Sequence, residues 1–327
     1  MTDKKILLKL VILIFFCSVK FSFAQQIPQF AYGSLNPEFY NPGVSGITKS
    51  INASAIGRTQ WLNISGHPTA QALNLSSYIP NLHGGLGLII LNSQQGVQRN
   101  TFAMVGYSFI TGNNNHRFGV GVRGGIIQST IDGTMLRAPD GFYSGSIINH
   151  NDGLLPINSV SSTSAEFSVG IFYLNKIMNV GIAGSHLLNP SLKYSATTGK
   201  LSIDEVRNIS GSISFLINRE KTISIKPSAF VKYNFNEFQS EGSVLLGYKK
   251  SGWIGAGYRG ISSENPDAII GFIGVTLNPN FEVGYAYEYS ISKLSAANDG
   301  SHELMLHYSV SLTKPSKPEK IIFTPRF

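Results

Sequence analysis

The stretch "FEVGYAYEYSISK", from Phe281 to Lys293, alternates between two kinds of side chain. Aromatic and aliphatic residues occupy every second position up to Ile291, and the positions between them include the carboxylates Glu282 and Glu288. Because successive side chains of a β-strand point to opposite faces, this period of two predicts a strand with one apolar and one polar face. Two folds use such strands: a soluble sandwich, whose apolar face packs on a core, and a membrane barrel, whose apolar face meets lipid.

The composition of the whole chain favours the barrel. Charged residues make up 13 % of the 327 residues, against about 25 % in typical globular domains. A soluble protein needs charge at its surface, whereas a barrel shows lipid an apolar wall and keeps small or polar residues inside. The formal net charge of +8 comes from basic residues scattered over the chain rather than clustered. We therefore expect contacts with lipid headgroups and no nucleic-acid partner.

Fourteen segments along the chain have this strand-like character, and most of them span about 11 to 14 residues. That length is close to the 9–11 residues with which a tilted strand crosses a membrane, and it exceeds the 5–6 of ordinary globular strands. The segments lie near 50–61, 68–79, 83–93, 98–111, 116–129, 160–174, 176–187, 204–217, 221–234, 238–250, 252–262, 266–277, 280–292 and 301–313. Twelve strands stay open as an alternative, with two of the weaker segments as loops.

The connections between these segments fall into two sets. If the amino terminus is periplasmic, one set consists of tight turns at 80–83, 111–116, 174–177, 217–221, 250–253 and 278–281. The other set includes the two long connections, about 130–159 and 188–203. This asymmetry is typical of outer-membrane barrels and has no basis in a secreted sandwich. We predict an all-β fold: a transmembrane antiparallel up-and-down β-barrel of about 14 strands over residues 50–313, located in the outer membrane.

The polar face of each strand then lines the lumen. Glu282 and Glu288 should point inward, where a charge is tolerated beside water or a basic partner. Lys226 and Lys232 lie on the polar face of another segment and are candidate partners. Solvation of all four side chains by lumenal water is the alternative.

The start of the chain predicts a signal peptide over residues 1–24. Lys4 and Lys5 precede an apolar run shorter than the roughly 20 residues of a transmembrane helix, and a small-residue site places cleavage before Gln25. Cys17 is the one cysteine of the sequence. Its removal with the signal peptide would exclude disulfides and zinc–thiolate sites.

The flanks of the barrel lack the strand pattern. Residues 25–49 contain Pro28, Pro37 and Pro42, each of which forbids a central strand at its position. We expect this segment to be a short N-terminal plug in the lumen, with a periplasmic arm as the alternative. Residues 314–327 are proline-rich and basic, so we expect a periplasmic C-terminal tail.

No residue pattern in the sequence supports catalysis. Ser301, His302 and Glu303 are adjacent, but neighbouring residues of a strand face opposite sides, so a strand entry explains them better than a catalytic triad. The run 149–152 could offer oxygen ligands to calcium, but its spacing completes no EF-hand loop. We expect a non-enzymatic protein without cofactor or metal.

Several short motifs occur in order along the chain. An Asn-Pro segment after a tyrosine is present as Tyr40, Asn41, Pro42 and Gly46, with Gly43 where alanine is commoner. Further motifs are Arg58, Gln60 and Trp61, then Gly66 and Pro68, then Ser301, His302 and Glu303, and at the end Pro325, Arg326 and Phe327. Together they resemble the PorP/SprF family of type IX secretion system membrane proteins of Bacteroidota.

The resemblance implies an outer-membrane β-barrel that works with other type IX components in protein secretion and gliding motility. It also implies, as some members do, support for the export or surface attachment of a secreted adhesin-like protein with a C-terminal sorting domain. Outer-membrane lipid and lipopolysaccharide are further expected partners. The family assigns no duty to single motif residues, and we expect the Asn41-Pro42 turn and the Arg58–Trp61 patch to hold the plug against the first strand. A channel for a hydrophobic or small solute stays open as the alternative function.

Overall fold

A computed structural model describes residues 28–312, except 114, 146, 197, 220 and 261–265. The predicted signal peptide, 1–24, and C-terminal tail, 314–327, lie outside the described residues, and so do Pro325, Arg326 and Phe327. In the part of the chain that is described, no helix has both the length and the apolarity to span a membrane.

Fourteen antiparallel strands close into one barrel, so the predicted fold and strand number are confirmed. The barrel strands are β1 (Ser50–Thr59), β2 (Thr69–Ile79), β3 (Gly84–Gln95), β4 (Gln98–Gly112), β5 (His116–Asp132), β8 (Ser159–Asn175), β9 (Met178–Ser185), β12 (Asn208–Phe215), β13 (Ile223–Tyr233), β14 (Phe238–Tyr248), β15 (Gly252–Gly260), β16 (Pro266–Asn278), β17 (Phe281–Ser290) and β18 (Ser301–Ser311). Each pairs with the next barrel strand along the chain. The ring closes where β18 pairs with β1, from Ser50 opposite Ser311 to Thr59 opposite His302.

Two short hairpins form inside the long connections, where the sequence predicts none. They are β6 (Phe142–Ser144) with β7 (Ile147–Asn149), and β10 (Ser191–Ser195) with β11 (Lys200–Asp204). The second hairpin corrects the predicted segment 204–217, because Asp204 belongs to β11 and the barrel strand β12 starts at Asn208. Strands of three to five residues are too short for an alternation pattern to reveal.

Side chains alternate across the wall as the sequence predicts. On β17, Tyr285 and Tyr289 are exposed on the outer surface, whereas Gly284, Ala286 and Glu288 are buried inside. Similar outward apolar residues recur around the barrel, and they form a surface suited to lipid. The core of the protein is therefore the interior of the barrel.

The two ends of the barrel differ in their connections. One end carries the connections 80–83, 113–115, 176–177, 216–222, 249–251 and 279–280. The other end carries 60–68, 96–97, 133–158, 186–207, 234–237 and 291–300, among the connections with described residues. We assign the short-turn end to the periplasm. β5 and β8 have 17 residues each, more than the 9–11 needed to cross the bilayer, so they extend above the membrane on the extracellular side.

The N-terminal segment, residues 28–49, lies within the barrel. It contains three short 3-10 turns, Ala31–Ser34, Pro37–Phe39 and Pro42–Val44. Its upper part reaches the extracellular half, where Gln29 donates a hydrogen bond to Glu241. Its lower part reaches the periplasmic end, where Arg117 donates to the carbonyl of Ile47. The chain then turns back and starts β1 from the periplasmic side.

Candidate functional site

Five charged side chains meet inside the extracellular half of the barrel. This lumenal charge cluster comprises Arg58, Glu241, Arg259, Glu288 and Glu303, on β1, β14, β15, β17 and β18, and each residue is at most 3 % exposed. Strand register creates two of the contacts, because Arg58 lies directly opposite Glu303 and Arg259 lies directly opposite Glu241. Inward-pointing charges from strands on one side of the ring thus converge at one level of the lumen.

Glu288 is the centre of the cluster. Arg58 binds both of its carboxylate oxygens at 2.6 Å, and Arg259 approaches one of them at 2.9 Å. Arg58 also reaches Glu303 at 3.2 Å, and Arg259 reaches Glu241 at 2.8 Å. Such bidentate, charge-assisted contacts offset part of the cost of burying the charges.

Glu303 connects the cluster to the N-terminal segment. Its two carboxylate oxygens accept hydrogen bonds from the backbone N–H groups of Ala31 and Tyr32, both at 2.8 Å. Tyr32 also donates its hydroxyl to the carbonyls of Ile273 and Tyr285 on the neighbouring strands. Buried N–H groups need partners. Glu303 therefore fixes the start of the first 3-10 turn to the barrel wall.

Arg123 on β5 holds the middle of the N-terminal segment. Its guanidinium donates to the carbonyls of Glu38, at 2.8 Å, and Phe39, at 3.3 Å. On another side of the barrel, Ser76 of β2 donates to the Glu38 carboxylate. The segment is therefore bound to separate parts of the ring rather than to one strand.

The Asn41-Pro42 turn lies against β8 and β9. The side-chain amide of Asn41 donates to the carbonyls of Ile171, at 3.0 Å, and Ile182, at 3.3 Å, and its oxygen accepts from the Gly43 N–H. The turn approaches the wall so closely that a Cβ at Gly170 would lie 2.1 Å from Asn41 Oδ1. β8 and β9 are five and six strands from β1 around the ring, so the expected contact of this turn with the first strand is wrong.

Tyr40 and Gly46 also contact the inside of the barrel. The Tyr40 hydroxyl accepts from the Phe30 N–H and donates to the Pro28 carbonyl, so it fixes the shape of the segment itself. Its ring packs on Phe230 of β13. Gly46 has a φ of 76° and lies against Gly85, where a side chain would not fit.

The residues of the Arg58–Trp61 patch lie in two different parts of the barrel, the lumenal charge cluster and the β1–β2 connection. Arg58 belongs to the cluster, whereas Gln60 and Trp61 form the β1–β2 connection together with Gly66 and Pro68. The Gln60 N–H donates to the Pro68 carbonyl, the Trp61 N–H donates to Ser301, and the Gly66 carbonyl accepts from the Gly96 N–H. The expected role of Arg58 in holding the segment has a structural basis, since Arg58 contacts Glu303. Gln60 and Trp61 lie near the extracellular mouth instead.

The other predicted lumenal charges lie in two places. Lys232 is buried near Phe30 and Tyr40, whereas Lys226 is half-buried near the periplasmic end and interacts electrostatically with Glu282, as predicted. Glu288 pairs with arginines, so the proposed lysine partners of this residue are a wrong prediction. His302 points outward and Glu303 inward, which leaves no triad with Ser301.

Sequence reasoning missed several buried charges that matter here. Arg259, Glu241 and Arg123 all sit at inward positions of alternating strands, so the strand period could have identified them. Glu166 and His186 form another pair: Glu166 accepts from the His186 N–H at 2.8 Å and from its Nδ1 at 2.7 Å. This pair fixes the start of loop 186–207. The two residues are 20 positions apart in the sequence, and no local pattern predicts their contact.

A cavity of about 320 Å³ opens above the cluster, toward the extracellular side. We call it the vestibule. Its lining includes Pro28 and Gln29 of the N-terminal segment, Arg58 and Arg259 of the cluster, and Glu205 of loop 186–207. Among the described residues, no group of three or more His, Cys, Asp or Glu side chains is arranged to hold a metal ion.

Comparison with known families agrees with this architecture. A family model described as "Type IX secretion system membrane protein PorP/SprF" matches residues 22–308. The chain belongs to the PorP/SprF family. It is therefore an outer-membrane component of the type IX secretion system, and membership implies association with other components of that system. Neither the family nor the fold indicates a catalytic activity.

Solved structures with a similar fold are outer-membrane barrels. The toluene transporter TbuX of Ralstonia pickettii has 9 % identity and a TM-score of 0.50, over 85 % of this chain and 93 % of that one. The toluene transporter TodX of Pseudomonas putida has 9 % identity and a TM-score of 0.47, over 88 % of this chain and 95 % of that one. At this identity the likeness concerns the fold alone. No curated protein gives a significant sequence match.

Proposed function

We propose that this barrel is a non-enzymatic secretion partner, which supports the export or surface attachment of an adhesin-like protein. The observation that carries the proposal is the N-terminal segment inside the lumen. An open pore for small polar solutes needs a continuous aqueous path, whereas this segment extends from Gln29 in the extracellular half to Ile47 at the periplasmic end. In our proposal the segment acts as a plug, and the barrel works through its surfaces.

The extracellular surface suits such a role because its loops are attached to the barrel. Leu192 and Tyr194 of the β10–β11 hairpin are at most 1 % exposed, and the N–H of Lys193 donates to Ser162 on the wall. The Glu166–His186 pair anchors the same loop at its start. A loop that is already ordered loses little conformational entropy when a partner binds.

The proposal is tested by cross-linking intact cells and purifying the barrel from its native outer membrane. Proteins recovered with it are identified by mass spectrometry, against a strain that lacks the barrel. We expect one large secreted protein to be recovered, and we expect that protein to disappear from the cell surface in the deletion strain. Recovery of the barrel alone, with unchanged surface proteins, would contradict the proposal.

The solute channel is tested separately by conductance in planar bilayers. If the segment is a plug, the purified wild-type barrel should show no stable conductance for small ions. Wild-type conductance, together with a loss of solute uptake by the deletion strain, would favour the channel. Gly170→Ala, which should displace the Asn41-Pro42 turn, provides an opened reference in the same assay.

A further inference from the structure

The vestibule contains acceptor oxygens that have no partner. Glu205 is 5 % exposed and lines the vestibule, and its buried Oε1 accepts no hydrogen bond. The buried Oε1 atoms of Gln29 and Gln239, which also line the cavity, lack donors as well. Buried polar atoms are normally satisfied, and each exception requires an explanation. Three of the unpartnered atoms in the lining are therefore acceptors, whereas one, the Arg58 Nε, is a donor.

The charge of the vestibule also favours a cation. Both arginines of the lining, Arg58 and Arg259, are engaged by the glutamates of the lumenal charge cluster. Glu205 and Asp267 contribute negative charge to the same lining. Burial raises the pKa of Glu205, and the nearby His186 opposes that rise. A cation against Glu205 would compensate the cost of burying this carboxylate.

We propose that Glu205 forms the base of a binding site for a primary ammonium group in the vestibule. Gln29 and Gln239, whose oxygens also lack donors, line the same cavity, and an ammonium offers three N–H donors. The site follows from the burial and charge of the cavity and does not depend on the proposed secretion role, whereas an exported polypeptide as the source of the amine does.

Two sources could supply this ammonium group. One is the chain's own α-amino group: Pro28 lines the vestibule, and predicted cleavage before Gln25 leaves three residues between them, a reach of about 10 Å. The other is a lysine side chain of an exported polypeptide, which would enter from the extracellular mouth. The recognising chemistry is the same in both cases.

Zero-length cross-linking tests the site and identifies the source. Native outer membranes are treated with a water-soluble carbodiimide, which activates a carboxylate; the amine nitrogen then forms an amide with its carbonyl carbon, and the carbodiimide leaves as a urea. We expect Glu205 to yield about tenfold more amide than the exposed neighbour Asp204, because only a bound amine stays in contact. The linked peptide either starts at Gln25 or belongs to another protein, and both results support the site.

Two variants complete the experiment. Glu205→Gln should abolish the link, whereas Asp204→Asn should leave it unchanged, and heat-modifiable migration in gels shows that both barrels are folded. The site would be refuted if Asp204 is converted in wild-type membranes while Glu205 forms no amide with any primary amine. A link that persists in Glu205→Gln would assign the amine to another carboxylate and would also overturn the proposal.

Discussion

Replacing Gly170 by alanine should detach the N-terminal segment from β8 and β9 without changing the wall. The added methyl would lie 2.1 Å from Asn41 Oδ1, and the other atoms nearest to it also belong to Asn41 and Pro42. Ordinary contact begins at 3.4 Å, so Asn41 must retreat by about 1.3 Å. That shift breaks the two hydrogen bonds from the Asn41 side chain to the carbonyls of Ile171 and Ile182, whereas its bond to Gly43 lies within the segment. At about 1 kcal/mol net each, the loss is about 2 kcal/mol, or about 30-fold in the docking equilibrium.

The assay uses Ser45→Cys as a reporter of docking. Ser45 is 1 % exposed, and cysteine is a small change there. Since Cys17 is the one natural cysteine and lies in the predicted signal peptide, the mature variant should carry a single thiol. A thiol in a docked segment reacts only when the segment opens. We therefore expect Gly170→Ala to raise the labelling rate about 30-fold.

Gly242→Ala is the matched control, because a Cβ at Gly242 meets no atom within 4 Å. It should leave the labelling rate of the Ser45→Cys barrel unchanged. An equally slow rate in the folded Gly170→Ala barrel would show that the segment tolerates the methyl by a local adjustment. The reasoning from close approach would then be wrong.

Three further perturbations test other parts of the structure. Arg58→Ala should lower the free energy of unfolding by about 3–5 kcal/mol, measured in urea, because it leaves Arg259 as the one arginine among the three buried carboxylates of the cluster; an unchanged midpoint would contradict the cluster. Val244→Lys, on the outer face in the middle of β14, should cost about 2–4 kcal/mol in a lipid refolding assay, and Tyr248→Lys at the strand end about 0–1; equal costs would argue against lipid contact. Glu166→Gln should increase trypsin cleavage of loop 186–207 on intact cells, because its bond to His186 weakens, and unaltered cleavage would show that other contacts hold the loop.

The barrel could be predicted from the sequence because its information is local and repeated. Each strand is marked in the sequence by alternating apolar and polar residues. Along the chain, short turns at one end of the barrel alternate with the connections at the other end. Although the pattern of any one strand is weak, the fourteen strands together predict one barrel topology. The errors occur where that repetition stops: β10 and β11 have five residues each, and the predicted strand at 204–217 crossed the boundary between hairpin and barrel.

The lumenal site was predicted only in part. The motif residues Asn41, Arg58 and Glu303 could be named, and the inward direction of Glu288 followed from strand parity. The partners of these residues could not be named. The strand period shows whether a side chain points into the lumen, but it does not give its level along the barrel axis or its position around the ring. The lysines were therefore the natural candidates for Glu288, although arginines from β1 and β15 reach it.

The sequence by itself determined the class of the fold, the approximate strand number and the face that each strand residue occupies, because all three follow from a period of two and from turn chemistry. The tertiary structure alone decided that Arg58, Arg259 and Glu288 meet, and that the Asn41 turn rests on glycines of the far wall. Closure of the ring sets these contacts. It brings together residues from opposite ends of the chain, and no local sequence pattern predicts contacts between residues so far apart.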